Sequence, residues 1–243
     1  MSLHVNDSGT WKQAQEVHVN DGGTWKSCLD VYVKDSGTWK SALYESGSQN
    51  FTTAGSTTFT VPAGVYSLTA TIVGGGGGGG GNDGSGDNRA GGGGGSGGYY
   101  QNVTISVTPS EQLSIVVGEG GTRGSFYFNG GSQCSENTGS TGSKNADDGE
   151  DSSISRGSTV LYSAGGGGGG VGNTGDNGDG AAGAGGTPNG TAGGSPSSNR
   201  NSYPASAGGS NGTGYGTGGN SNARIPSTLC PTDGEDGAVL LTW

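Results

Sequence analysis

The chain has 243 residues, of which 59 are glycine, about a quarter against a usual share of roughly 7%. Hydrophobic residues make up only 27%, so a conventional core serves only part of the chain, and collagen is excluded by the absence of a strict Gly-X-Y period and the presence of only 7 Pro. A net charge of −10 and a pI near 4.4 argue against nucleic acid, whose phosphates need clustered Lys and Arg, and favour solubility instead.

The first 44 residues carry an internal repeat. Leu3-His4-Val5-Asn6-Asp7-Ser8-Gly9-Thr10-Trp11-Lys12 returns at Val17 to Lys26 and again at Val31 to Lys40, with a spacing of 14 residues each time. Each unit reads as a β-hairpin: a short alternating strand, an Asn-Asp-x-Gly or Lys-Asp-x-Gly turn, and a return strand opening on Thr-Trp-Lys. The alternation puts Val17 and Val19 on one face and His18 on the other. One hairpin of this length is marginal in water, but three can share a small core around a pseudo-threefold axis. Trp11, Trp25 and Trp39 then either fill that core or meet the three chains of a symmetric trimer, since Trp serves both purposes.

From Phe51 the pattern changes, giving a division into an attachment module over 1–50 and a glycine-rich body over 51–243. Strands are predicted at 58–62, 65–73, 99–107, 113–117, 158–162 and 238–243, all rich in β-branched and aromatic residues. They run directly into glycine: Gly74 to Gly81 after Ile72-Val73, Gly91 to Gly98 (with Ser96) before Tyr99, and Gly165 to Gly170 after Ser163-Ala164. Disorder or flexible linkers are the ordinary readings of such composition. Linkers do not usually alternate with strands, however, and packed polyglycine II helices fit better. Such a helix is extended, left-handed and three residues per turn, and bonds nothing to itself. Its N–H and C=O groups must find partners in neighbouring helices. The expected fold class is therefore mostly β and irregular, with three hairpin repeats, short strands and packed polyglycine II helices.

Polar segments separate the glycine runs, at 82–90, 132–148, 171–179, 195–206 and 220–232. They read as recognition loops on a stiff frame, against the alternative of ordinary solvated loops. The candidate contact residues are Asn82, Asp87, Asn88 and Arg89 in the first, and Lys144 in the second. Asn173 and Asp176 fall in the third, Asn199, Arg200 and Tyr203 in the fourth, and Asn222, Arg224 and Ile225 in the fifth. The stretch from Phe126 to Asp151 is long and poor in glycine runs, which blurs the limits of the second loop.

Catalytic and cofactor chemistry is not written in this sequence. GxGxxG matches carry no information in so glycine-rich a chain, and no GxxxxGK[ST] occurs. The two histidines, His4 and His18, both lie in the repeats, which leaves no base for a Ser-His-Asp site. Cys28, Cys134 and Cys230 are too few for a disulfide framework, with a Cys134–Cys230 pair the one considered. A cation at 172–179 or 147–151 is a minor alternative. The expectation is no enzyme activity, no cofactor, no metal and no membrane insertion. The opening Met1-Ser2-Leu3-His4 lacks a signal peptide, so synthesis and assembly in a cytoplasm are expected.

Trp-bearing N-terminal repeats, strands feeding polyglycine, and polar segments between the runs together resemble the tip adhesins of T-even-type bacteriophage long tail fibres, of the T2 and Salmonella-phage type. The resemblance spans essentially the whole chain. It implies a single copy docked on the trimeric distal fibre protein through Trp11, Trp25 and Trp39. It implies polyglycine II packing in the body, and distal loops that select a bacterial outer-membrane protein. The implied location is the virion, at the fibre tip. Rival readings are an assembly chaperone that leaves the fibre, a structural or ice-binding polyglycine protein, and a virion-bound depolymerase.

Overall fold

The computed structural model describes residues 4–7, 9–13, 18–27, 31–35, 37–41, 46–81, 90–128, 131–134, 145–172, 180–196, 206–221 and 230–243. Three two-stranded hairpins come first. They are β1 (His4–Asp7) with β2 (Thr10–Gln13), β3 (His18–Asp21) with β4 (Thr24–Ser27), and β5 (Tyr32–Asp35) with β6 (Thr38–Ser41). Their registers are the same, with Asn6 opposite Trp11, Asn20 opposite Trp25 and Lys34 opposite Trp39. The turn glycines Gly9, Gly23 and Gly37 have φ of 86°, 87° and 89°, a conformation glycine adopts without steric cost. The 14-residue repeat of sequence is thus also a repeat of backbone shape.

The body begins with a sandwich of two antiparallel sheets. One sheet has the order β10 (Tyr99–Ser106), β9 (Ser67–Val73), β16 (Ala238–Thr242), β7 (Ser48–Phe51). The other has β15 (Thr159–Ala164), β14 (Ser152–Arg156), β11 (Gln112–Val117), β8 (Gly55–Thr60). Period-2 burial is plain in β11, where Leu113, Ile115 and Val117 are buried while Gln112 and Ser114 are exposed. These side chains meet Phe59, Leu68, Ile72, Ile154, Val239 and Leu241 in one core. At one edge Phe59 packs between Phe51 and Trp243, with ring centroids 6.3 and 5.6 Å away. Tyr100 and Tyr162 meet edge to face at 5.1 Å. Strands β7 and β14, and the hairpin of β12 (Phe126–Phe128) with β13 (Gly131–Cys134), were not anticipated from the sequence. Among the described residues there is no helix.

Beyond the strands the chain runs as ten extended segments, called rods here and numbered in chain order. They are rod 1 (74–81), rod 2 (90–98), rod 3 (118–125), rod 4 (145–151), rod 5 (165–172), rod 6 (180–187), rod 7 (190–196), rod 8 (206–211), rod 9 (216–221) and rod 10 (230–237). None bonds to itself along its length. In rod 1, Gly74, Gly77 and Gly80 donate to rod 2. Gly75 and Gly78 donate to rod 4, and Gly76 and Gly79 to rod 10, all at 2.8–3.0 Å. Its carbonyls accept in the same rotation from rods 3, 5 and 9. A partner that changes every residue and returns every third is the signature of polyglycine II. Rod 2 does likewise, donating to rods 5, 7 and 9 and accepting from rods 1, 6 and 8.

These bonds place the rods in three layers: 4-5-6, then 3-1-2-7, then 10-9-8. Among the described residues only rods 1 and 2 have six neighbours, which explains why they need glycine almost throughout. A Cβ on Gly74, Gly77 or Gly80 would lie 2.1–2.6 Å from a carbonyl oxygen of rod 5. One on Gly75, Gly78 or Gly81 would meet rod 3 at 1.9–2.2 Å, and one on Gly76 or Gly79 would meet rod 9 at 2.0 Å. Rods at the corners and ends of the layers need glycine mainly on the inward third of their positions, whereas mid-layer rod 5 needs it on two thirds, at Gly166, Gly167, Gly169 and Gly170. Gly118, Gly121 and Gly124 in rod 3, and Gly180, Gly183 and Gly186 in rod 6, follow that spacing.

Candidate functional site

The rods alternate in direction, so the body has two different ends. At one end, rods 1, 2, 3, 4, 5 and 10 continue into β9, β10, β11, β14, β15 and β16. The remaining four are joined there by turns, rods 6 and 7 through Asn189 (φ 64°), and rods 8 and 9 through Gly212 and Gly214 (φ 75° and 83°). At the other end all five remaining rod-to-rod connections are made. The rod termini are tied together there: Gly180 N–H donates to Ala90 O, Val171 N–H to Ala181 O, Ser221 N–H to Ser206 O, and Thr232 N–H to Asn220 O. The second connection begins with the β12–β13 hairpin.

All thirteen candidate loop residues, Asn82, Asp87, Asn88, Arg89, Lys144, Asn173, Asp176, Asn199, Arg200, Tyr203, Asn222, Arg224 and Ile225, lie outside the described residues. Their described flanks locate the roots. The first connection leaves from the two six-neighboured rods at the centre. The others rise from rods 3 and 4, 5 and 6, 7 and 8, and 9 and 10, around it. Every one therefore starts from the same face of one hydrogen-bonded lattice. All five expected loops are drawn too wide. Ala90, Asn145 to Asp148, Val171 and Gly172, Ser195 and Pro196, Ser206, Asn220 and Ser221, and Cys230 to Thr232 belong to rods, and Ser132 to Cys134 to β13.

The side chains near this face secure the frame rather than forming a reactive group. Ser206 N–H donates to Ser221 Oγ at 2.8 Å, and both serines are buried. Three of the four carboxylates at 147–151, considered above for a cation, are engaged: Asp148 and Asp151 accept backbone N–H groups of Gly169 and Gly166, and Asp147 accepts the Thr122 hydroxyl. Cys230 is disulfide-bonded; the side chain of Cys134, the partner considered from the sequence, lies outside the described residues. A clear pKa displacement occurs far from this face. The hydrogen bond from Arg156 holds the Glu111 carboxyl below its ordinary value, against the opposing effect of burial and with help from the Thr108 amide.

The opposite pole is set by the path of the chain. Gly47 and Trp243 exchange backbone hydrogen bonds of 3.0 Å each way, past the Thr242 end of β16, while Ala238 at its other end adjoins rod 10. The chain thus enters the body at the end of the sandwich remote from the five connections. Preceding it are the hairpins, where Trp25 is 68% and Trp39 62% exposed, with Val19 at 51%. These two tryptophans therefore do not fill a core of the hairpins. The side chain of Trp11 lies outside the described residues. Lys34 Nζ sits 5.8 Å from the Trp39 ring centroid, and Lys26 pairs with Asp21 at 2.5 Å on the second hairpin.

The sequence matches the family described as Glycine-rich domain over residues 52–242, which takes in the whole rod bundle and every sandwich strand except β7, and the chain belongs to that family. No curated protein matches it at a significant level.

Proposed function

We propose that this member of the glycine-rich domain family is a phage receptor-binding adhesin at the tip of a long tail fibre. Its N-terminal hairpins dock on a trimeric distal fibre protein, one copy per fibre, and its five rod connections recognise a bacterial outer-membrane protein. The observation that carries the reading is the polarity of the body. Attachment enters at one pole, and five polar segments leave together from the other, rooted in a lattice of backbone bonds. A stiff root lowers the cost of ordering a binding loop, and loops on a rigid scaffold are the usual carriers of recognition. Exposed Trp25 and Trp39, repeated with the same backbone geometry, suit equivalent contacts to identical chains. The work of the protein is recognition rather than catalysis, with no cofactor and no membrane insertion.

The test is a pull-down of outer-membrane proteins from candidate hosts by the chain co-expressed with its trimeric fibre partner. Replacing 82–90 and 195–206 is expected to abolish capture of the receptor while fibre docking persists. W25A/W39A is expected to do the reverse: it releases the chain from the fibre but, the side chains being exposed, changes stability by no more than about 0.5 kcal/mol. Failure to retain any outer-membrane protein, with dissociation of the chain from mature fibres, would replace the adhesin by an assembly chaperone.

A further inference from the structure

Rod 5 is a weak point in the lattice. Its residues 165–170 are all glycine, and it lies in the middle of an outer layer with neighbours on four sides among the described residues. Two of its three rows of N–H groups are used by rods 6 and 1. The third row, Gly166, Gly169 and Gly172, faces the place where the next layer of rods would begin. The carbonyls of Gly166 and Gly169 turn outward as well. Corner rods carry side chains on their open faces, such as exposed Ala181 and Ala184 of rod 6. A Cβ where rods touch lands about 2 Å from a neighbour's carbonyl in this bundle, so those faces cannot accept another rod. Over 165–170 rod 5 has no such block, and Val171, 39% exposed, is the one side chain on its open row.

A ladder covers it instead. Rod 4 runs antiparallel beside it, and its Asp151, Asp148 and Asn145 side chains accept the N–H groups of Gly166, Gly169 and Gly172 at 3.0, 2.7 and 2.9 Å. The three-residue spacing of acceptors matches that of donors, so every rung falls in register. A second ladder of the same design sits on rod 3, where Asp236 and Asp233 of rod 10 accept from Gly120 and Arg123 at 2.9 and 2.8 Å. Five side-chain oxygens thus stand where the carbonyls of further rods would stand.

We propose that the Asn145–Asp148–Asp151 ladder is a lattice terminator, and that it covers a latent interface for a second copy of this chain. Bare rod 5 offers both a donor row and an acceptor row, so two copies related by a two-fold axis can satisfy each other's rows through the same patch. The ladder prevents this as a covered edge prevents strand addition to a β-sheet. It takes the donors and sets side-chain oxygens where the partner's carbonyls would approach.

Sedimentation of the full chain over a hundredfold concentration range tests this. N145A/D148A/D151A is expected to dimerise at a concentration at least tenfold below any self-association of the wild type. D148N/D151N, which keeps every acceptor oxygen but removes both charges, is expected to match the wild type. Hydrogen exchange at the rod 1 amides, read on the same samples, reports whether the lattice is intact. If the triple variant loses that protection, D148A decides, since two rungs remain and a smaller shift in the same direction is expected. An intact variant as monomeric as the wild type overturns the proposal. Equal association by the Ala and Asn variants also overturns it, leaving charge repulsion as the cause.

Discussion

The sandwich and the rod bundle are parts of one body built on opposite principles. The sandwich is held by side chains: Leu113, Ile115, Ile72 and Leu241 are withdrawn from water and packed across two sheets. In the bundle the two central rods contribute nothing but backbone, apart from Ala90 and Ser96. Their stability rests on lateral hydrogen bonds made to six neighbours at once. The contrast teaches that absence of side chains is not absence of structure. A chain without Cβ atoms can approach its neighbours closely enough for each peptide group to find a partner, which offsets the entropy lost in ordering glycine. It also predicts different tolerances: a sandwich yields by cavities, whereas the lattice has no room in which to yield.

The largest expected effect is in a central rod. G77A sets a Cβ 2.1 Å from Gly168 O and 2.4 Å from its carbonyl carbon, both held in the lattice. Its cost should reach the roughly 4–5 kcal/mol that marks exceptional substitutions. G165A, whose nearest neighbour would be 3.2 Å away, should cost about 1 kcal/mol. Denaturant unfolding of the pair gives the comparison, and equal losses would show that the close approach of rods does not set the cost, since removing a glycine lowers only the entropy of the unfolded chain and favours folding. Next comes L113A in the sandwich core, with an expected loss of about 2–5 kcal/mol. If it exceeds G77A, the lattice is softer than its contacts imply.

A smaller effect belongs to the fully buried side-chain oxygen of a central rod. Ser96 is 0% exposed, and its Oγ accepts the Thr191 N–H at 2.9 Å. S96A orphans that donor and should cost about 1–3 kcal/mol, with faster hydrogen exchange at Thr191 as the local readout. The smallest effect lies on the sandwich. Glu111 is held below its ordinary value of 4.5 by Arg156, whose side chain is 45% exposed, so solvent screens the pair and E111Q should cost no more than about 1 kcal/mol at neutral pH. A lowered carboxylate pKa stabilises the fold above the ordinary value and loses that contribution as pH falls through the folded value. The difference between wild type and E111Q should therefore shrink below pH 4.5.

Much of this architecture was legible from particular residues. Gly74 to Gly81 and Gly91 to Gly98 announced the two central rods because every face of them is in contact, and the 14-residue spacing of Trp11, Trp25 and Trp39 announced three like hairpins. Rods 3 and 4 were not legible as rods. Polar residues fill their outward positions, and Asn145 to Asp148 of rod 4 fall within an expected loop. The signal was present in rod 3 at a period of three, in Gly118, Gly121 and Gly124. The polar side chains of Asn145 and Asp148 serve the neighbouring rod, which no local pattern reveals.

By itself the sequence determined which segments can form rods and which can form strands, because those depend on the presence or absence of a Cβ and on alternation within a few residues. Only the tertiary structure decided which rod lies beside which. One polyglycine row offers the same donors and acceptors as any other, so order and register are imposed from outside. The strands that launch rods 1, 3 and 5 and receive rods 2, 4 and 10 impose them, since their buried faces fix a register that bare glycine cannot specify.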